Sequence, residues 1–239
     1  MRTLLTLARM ACLMAWTLLM SLVVPLGFLL GERLGHRAHR TWGRGACLIV
    51  GISITWHGLE HLSGRAAVVL APNHESIADI PVLASLPFPF KWISKQELGR
   101  IPFVGWAMRA MGTFFVRRDR SANDLTVMRS VEDGLRSGRS VVIFPEGTRT
   151  RTGDLLPFKK GAFRTAQNAG VPLIPVAISG TRKIAQPGRL PRIGGNLVSV
   201  RLGAPLDVPP GDLAGPMKEF KNRLESLLSE DRTDPSTPT

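Results

Sequence analysis

Tyrosine is absent from these 239 residues, and the remaining aromatics, ten Phe and five Trp, are scattered rather than grouped. RNA-recognition modules stack bases on clustered rings, so the scatter excludes that class and leaves no nucleic-acid partner expected. Cysteine is nearly missing as well: Cys12 and Cys47 both fall in the first fifth of the chain. Two cysteines rule out a disulfide framework, and no metal-ligand spacing is present, so no metal is expected. Acidic residues are scarce, 18 against 31 Lys plus Arg, for a formal net charge of +13. An excess of that size calls for an anionic partner, a membrane surface or a phosphorylated substrate.

Charge is also missing locally. Residues 10–30 form an uncharged run of 21 residues. At about 1.5 Å per residue a helix of this length matches a hydrocarbon core of about 30 Å. Arg2 and Arg9 precede the run, and Arg33, Arg37, Arg40 and Arg44 follow it with only Glu32 opposing. The denser basic flank puts the downstream chain on the cytoplasmic side of a cytoplasmic membrane. The run exceeds a usual signal-peptide core and lacks a small-x-small cleavage site. Pro25 leaves a kinked helix entering one leaflet as the alternative to a full span. Residues 31–50 interleave apolar and basic positions, as an interfacial helix or a solvated connector would. Residues 1–50 are therefore expected to be a membrane-associated helical segment, 51–228 the main domain and 229–239 a disordered polar tail.

Within 51–228, short apolar runs alternate with helical patterns. Strands are expected near 52–56, 66–71, 92–94, 114–116, 141–144, 173–178 and 197–202. Helices are expected over 97–111, with Pro102 and Gly105 as candidate breaks, from a cap at 121–124, over 160–169, and along the stripe Met217, Phe220, Leu224 and Leu227. The alternation predicts an α/β fold, a mixed β-sheet flanked by helices, with the helical membrane segment ahead of it.

Asn73-His74-Glu75-Ser76-Ile77-Ala78-Asp79 follows the second strand. Five helical steps would leave His74 and Asp79 about 140° apart, so His74 belongs in the turn and Asp79 in the first helical turn. An Asp folded back on the ring fixes its tautomer and steadies the imidazolium formed on proton transfer. The same residues also read as a Ser76-x-x-Asp79 capping box, which needs no chemistry. Phe144-Pro145-Glu146-Gly147-Thr148-Arg149 follows another buried strand. Its glycine admits an anion to the backbone, Thr148 adds a hydroxyl and Arg149 a planar fork. No acid occurs between Asp154 and Asp207, yet Lys159, Lys160, Arg164, Arg182, Lys183, Arg189, Arg192 and Arg201 do, a one-signed field for an anionic headgroup. A third block runs from Lys95 through Pro102 and Gly105 to Arg117 and Arg118.

These three blocks, in this order, together with Val171-Pro172-Leu173-Ile174-Pro175, closely resemble the glycerolipid acyltransferases, in particular the bacterial 1-acylglycerol-3-phosphate (lysophosphatidic acid) enzymes. The resemblance covers roughly residues 50–205. It implies acyl transfer from a thioester, on acyl-carrier protein or coenzyme A, to the free hydroxyl of a lysophospholipid, with no cofactor. It implies His74 as base with Asp79 as its partner. It implies that Lys95, Arg118, Glu146, Gly147, Thr148 and Arg149 hold the acceptor phosphate or shape its pocket, and that the fourth block lines acyl chain or donor. Ser76, close to His74, leaves a serine acyl-enzyme formally open. The same motifs fit lyso-ornithine lipid or another lysophospholipid as acceptor. A non-catalytic protein that binds anionic lipid is the reading from another class; it leaves the His74–Asp79 pair idle.

Overall fold

Successive residues from Ala67 to Ala71 point alternately into two cores. Val68 and Leu70 join one, and Ala67, Val69 and Ala71 the other. Strand β2 (Val69–Pro72) is thus buried on both faces, which is why it reads as an unbroken apolar run rather than an alternating one. β6 (Leu173–Ser179) does the same, with Ile174, Val176 and Ile178 on one side and Leu173 and Ala177 on the other.

The computed structural model describes residues 2–117, 122–185 and 191–233. Among them, the strands β1 (Ile52–His57), β2, β3 (Lys91–Lys95), β4 (Phe114–Val116), β5 (Val141–Val142), β6 and β7 (Asn196–Leu202) form one seven-stranded sheet in the order β1-β7-β6-β2-β5-β3-β4. β2 pairs in parallel with β5 and β6, and β3 in parallel with β4 and β5. β7 runs antiparallel to β6, and β1 lies parallel to β7 at the edge. The expected mixed sheet flanked by helices is therefore present.

Five strands, β4, β3, β5, β2 and β6, consequently share one direction, and the segments leaving them emerge at one end of the sheet. Those segments begin at Arg117, Gln96, Ile143, Asn73 and Gly180. Ligands of open α/β sheets bind at that carboxyl end, and every block singled out in the sequence, except the fourth, starts there.

One face of the sheet is covered by α2 (Glu32–Val50) and α3 (Asp79–Ala84), the other by α5 (Ala122–Arg136), α6 (Gly161–Ala169) and α7 (Ala214–Thr233). Phe163 and Phe220, fully buried and edge-to-face at 5.2 Å, centre the second core. α7 runs on to Thr233, past residue 228 where the sequence ends the domain; 234–239 lie outside the described residues. The expected helix over 97–111 is split. A 3₁₀ turn over Gln96–Arg100 is followed, after Pro102, by α4 (Val104–Ala110). Pro102 lacks the amide that would continue the first turn. Leu125, placed on the buried face of α5 by its spacing, is 65% exposed.

α1 (Arg2–Leu30) passes through Pro25 without a break and folds back on α2 as an antiparallel hairpin. The hairpin lies on the domain. Gly35, His39, Gly43, Ala46 and Cys47 of α2 are buried, as are Met20, Ser21 and Val24 of α1. Gly51 ends α2 at φ 78°, its amide donating to the Cys47 and Leu48 carbonyls, and a side chain there would meet Gly194 Cα at 2.6 Å. The hairpin tip is pinned by Lys91, whose Nζ lies 2.9 Å from Glu32 Oε2 and 4.6 Å from the centre of the Phe28 ring.

Candidate active site

β2 delivers its chain to Asn73, and the Asn73 side chain replaces the next rung of the sheet. Its Nδ2 donates to the Ile178 carbonyl at 3.0 Å and its Oδ1 accepts the Ile178 amide at 2.7 Å. The backbone is then free to turn. His74 sits in that turn, and its Nδ1 lies 2.7 Å from Asp79 Oδ2. The same oxygen accepts the amides of Glu75 at 2.9 Å and Ser76 at 3.0 Å. Asp79 Oδ1 accepts the hydroxyl of Thr181, which enters from the end of β6. Three donors besides the ring converge on this fully buried carboxyl, so its oxygens act as acceptors and the ring contributes the fourth hydrogen. His74 therefore carries its hydrogen on Nδ1 and leaves the Nε2 lone pair available. The capping interaction and the catalytic pair turn out to be one structure, since Asp79 reaches back to the Ser76 amide and to the imidazole together.

The ring is held from the side by Phe144, stacked with centroids 4.0 Å apart. Thr150 ties the two turns together by donating its amide to the His74 carbonyl at 2.9 Å. Glu146 ties them more firmly. Its Oε1 accepts the His74 amide at 2.8 Å and its Oε2 the Leu156 amide at 2.9 Å. Only 2% exposed, this carboxyl has its pKa raised by desolvation, against the two amide bonds that lower it. Of the two roles open to it, Glu146 does not reach out to an anion: both oxygens are taken, and a carboxylate repels phosphate. It shapes the turn.

Gly147, at φ 71°, and the exposed Thr148 and Arg149 lie on the open side of this turn. Lys95 is exposed at the end of β3. Arg118 lies outside the described residues; β4, which leads to it, ends on the same side. Sequence reasoning placed Lys159 only within a basic stretch. Its amide donates to the Pro145 carbonyl at 2.8 Å, and its Nζ comes to 2.7 Å from where a side chain at Gly147 would begin. Position 147 must stay bare for this ammonium to lie over the turn.

Three sequence expectations are corrected. The fourth block is not among the residues that line the cavity beside His74. Leu173 and Ile174 are fully buried in mid-sheet and the Pro172 carbonyl accepts the Val69 amide, so the block is core. Ser76 is fully buried, its hydroxyl donating to the Ala185 carbonyl at 3.0 Å and accepting the Ala78 amide at 3.2 Å, so it holds the turn and is not presented as a nucleophile. The acid-free stretch is not one field. Arg201 points to the far end of β7, where Asp231 at 2.6 Å and Glu230 at 3.6 Å neutralise it.

Beside His74 opens an apolar cavity of about 630 Å³. Phe144, Ile77 and Ala78 form its wall toward the imidazole; Trp92 and Ile93 of β3 line it from the sheet, and Ala107 and Met108 from α4. Met10, Leu13, Met20 and Val24 of α1 and His39 and Trp42 of α2 close it. The N-terminal hairpin is thus a wall of the site. Among the described residues no cluster of His, Cys, Asp and Glu is arranged for a metal ion.

A histidine oriented by a buried carboxylate thus lies between an apolar cavity and a turn that carries cationic side chains. The Acyltransferase family model matches residues 53–179, more than half of the chain, and the chain belongs to that family. It is 42% identical over 132 residues to a chloroplastic 1-acyl-sn-glycerol-3-phosphate acyltransferase of Brassica napus, covering 55% of this chain and 38% of that one. To the 1-acyl-sn-glycerol-3-phosphate acyltransferase of Borreliella burgdorferi it is 36% identical over 135 residues, 56% of this chain and 54% of that one. A lyso-ornithine lipid O-acyltransferase of Pseudomonas aeruginosa is 37% identical over 139 residues, 58% and 53% of the two chains. These matches span between about two fifths and just over half of the relatives' length. The crystal structure of the 1-acyl-sn-glycerophosphate acyltransferase PlsC from Thermotoga maritima superposes with a TM-score of 0.82 at 26% identity, over 97% of this chain and 96% of that one.

Proposed function

We propose that this protein transfers an acyl group from an acyl thioester to the free hydroxyl of 1-acylglycerol-3-phosphate, making phosphatidic acid. The observation that carries the reading is the placement of His74, its Nδ1 fixed by Asp79 and its ring against Phe144, which also lines the apolar cavity. A thioester acyl chain or the acceptor's own chain fits that cavity. The acceptor phosphate belongs on the cationic side, with Lys95, Gly147, Thr148, Arg149, Arg118 and, added by the structure, Lys159.

In the step itself the hydroxyl oxygen attacks the thioester carbonyl while His74 Nε2 takes the hydroxyl proton. The tetrahedral intermediate collapses, the C–S bond breaks, and the proton passes to the leaving thiolate. Asp79 stabilises the transient imidazolium without being protonated itself. The donor, carrier protein or coenzyme A, is a co-substrate.

Membrane association is part of the proposal. One described helix is long and apolar enough to cross a bilayer, Thr3–Leu30 with mean hydropathy 2.2. Its inner stripe packs on the domain, while Leu4, Leu18, Leu22, Leu26 and Leu29 are exposed. That division fits a helix embedded along the domain in one leaflet better than one surrounded by lipid, with the domain on the cytoplasmic side.

The Pseudomonas relative keeps lyso-ornithine lipid as the second acceptor. Competition settles it: purified protein in mixed micelles, offered both acceptors and one acyl thioester, is expected to consume lysophosphatidic acid first. Preference for lyso-ornithine lipid would keep the chemistry and change the substrate. Transfer to neither, by folded protein that binds anionic vesicles, would favour a lipid-binding protein without catalysis.

A further inference from the structure

The segment joining the 3₁₀ turn Gln96–Arg100 to α4 is apolar on its outside. Leu98, Ile101, Phe103 and Trp106 are 42%, 43%, 42% and 56% exposed. Single exposed apolar residues are ordinary, but four within nine positions form a patch that a water-facing surface does not favour. The patch is also held rigidly. Phe103 is the non-glycine residue with positive φ, 62°, among the described residues, and its ring packs on Trp106 at 4.9 Å. Behind it, Gly105 packs so closely on the Gly99 backbone that a side chain there would meet the Gly99 carbonyl. A bulky residue in this backbone region is a cost the fold sustains in order to aim a side chain.

Two observations identify what covers the patch. α4 packs on α1, and Leu98 and Met10 are both exposed and both line the cavity. Apolar surface therefore runs without a break from the loop, across the cavity mouth, to the outer stripe of α1. Basic residues predominate along the same segment: Lys95, Arg100 and Arg109 are exposed there, with Glu97 as the acid among them. Tryptophan and phenylalanine beside basic residues match the headgroup region of an anionic bilayer.

We infer that the loop carrying Ile101 and Phe103, with Trp106 in the first turn of α4, is a second membrane-docking element. It seats in the same leaflet as α1 and holds the cavity mouth at the lipid surface. The inference rests on the membrane association proposed for α1, and its test separates the two. In a Cys12→Ser background, in which Cys47 is buried, an environment-sensitive fluorophore is attached at Ile101→Cys, Phe103→Cys, Leu18→Cys or Leu125→Cys. The proteins are reconstituted with phosphatidylglycerol vesicles containing phosphatidylcholine brominated on its acyl chains. Loss of fluorescence at 101 and 103 comparable to that at 18, and none at 125 on the opposite face of the sheet, is the result expected. Quenching at 18 alone would overturn the inference and leave the α1 reading standing. Quenching at none of the four would overturn both. Labels at 101 and 103 shielded from bromolipid and from aqueous iodide alike would mean that protein covers the patch, which also overturns it.

Discussion

Nδ1 of His74 lies 2.7 Å from Oδ2 of Asp79, and that one oxygen also accepts two backbone amides. The carboxylate thus builds the turn and sets the imidazole tautomer at once. Replacing it disturbs both, and the two consequences are separable.

Asp79→Asn keeps one oxygen but brings an NH₂ toward donors. Without the charge the ring loses its reason to hold hydrogen on Nδ1. We expect kcat to fall by about 10²–10⁴, with the KM for lysophosphatidic acid close to wild type. Steady-state kinetics in micelles reads both. A rise in KM at unchanged kcat would move Asp79 from the chemistry to binding.

Glu146→Gln tests the positioning role. One of the amides of His74 and Leu156 would face an NH₂ in place of an acceptor, at a cost of about 1–3 kcal/mol in stability. Because the amide belongs to His74, activity should fall mainly through kcat. A group holding the acceptor phosphate would instead act mainly on KM, so the split between the two parameters distinguishes them.

His39 gives a pH signature. Buried, it accepts the Trp92 indole N–H on Nε2 at 3.0 Å, so the folded ring is neutral. Desolvation first, then the neighbouring His36 and Lys91, lower its pKa from 6.5 to about 4. A depressed folded pKa contributes stability that is present above about 6.5 and lost as pH falls toward 4, because the unfolded ring binds a proton that the folded ring does not. The loss over that window is of order 3 kcal/mol. His39→Gln keeps an acceptor for Trp92 and removes the titration. Unfolding of the two proteins by urea at pH 7 and pH 4.5 should show a smaller loss for the variant.

Cys47 should be inert. Burial pushes its thiol up to about 12, far from the thiolate that alkylating reagents need. At pH 7.5 in micelles we expect maleimide to spare Cys47 until the protein is unfolded. Rapid modification of the folded protein, located by peptide mapping, would show that α2 opens from the domain.

The strands and the turns that follow them were legible in the sequence because both depend on near neighbours. Apolar runs of four to seven residues closed by Pro72 or Pro145 mark buried parallel strands, and a shared strand direction then brings His74, Lys95 and Glu146 to one edge. What was not legible depends on pairings across the chain. Thr181 is 102 positions from Asp79, and nothing around it announces a hydrogen bond to that carboxylate. Asn73 opened the block without a role of its own; its bidentate clip on Ile178 exists only once β6 lies beside β2. The sequence left Glu146 between holding phosphate and shaping the pocket; only its burial and its bonds to the His74 and Leu156 amides favour the second. The N-terminal hairpin read as a membrane appendage from its hydropathy. Its small residues are the signal that it is also a wall of the cavity: Gly35 lets the two helices close on each other around Phe28, Gly43 lets α2 approach the Ala84 backbone, and Ala46 lines the cavity.

The central claim is that His74 Nε2 takes the acceptor's hydroxyl proton. The most direct measurement is acyl transfer from a radiolabelled acyl thioester to lysophosphatidic acid by the wild type and His74→Ala, with vesicle binding and the thermal transition followed in the same preparations. The account predicts that the variant keeps its fold and its lipid binding and loses transfer by at least about 10². A folded His74→Ala protein that makes phosphatidic acid at the wild-type kcat would contradict it.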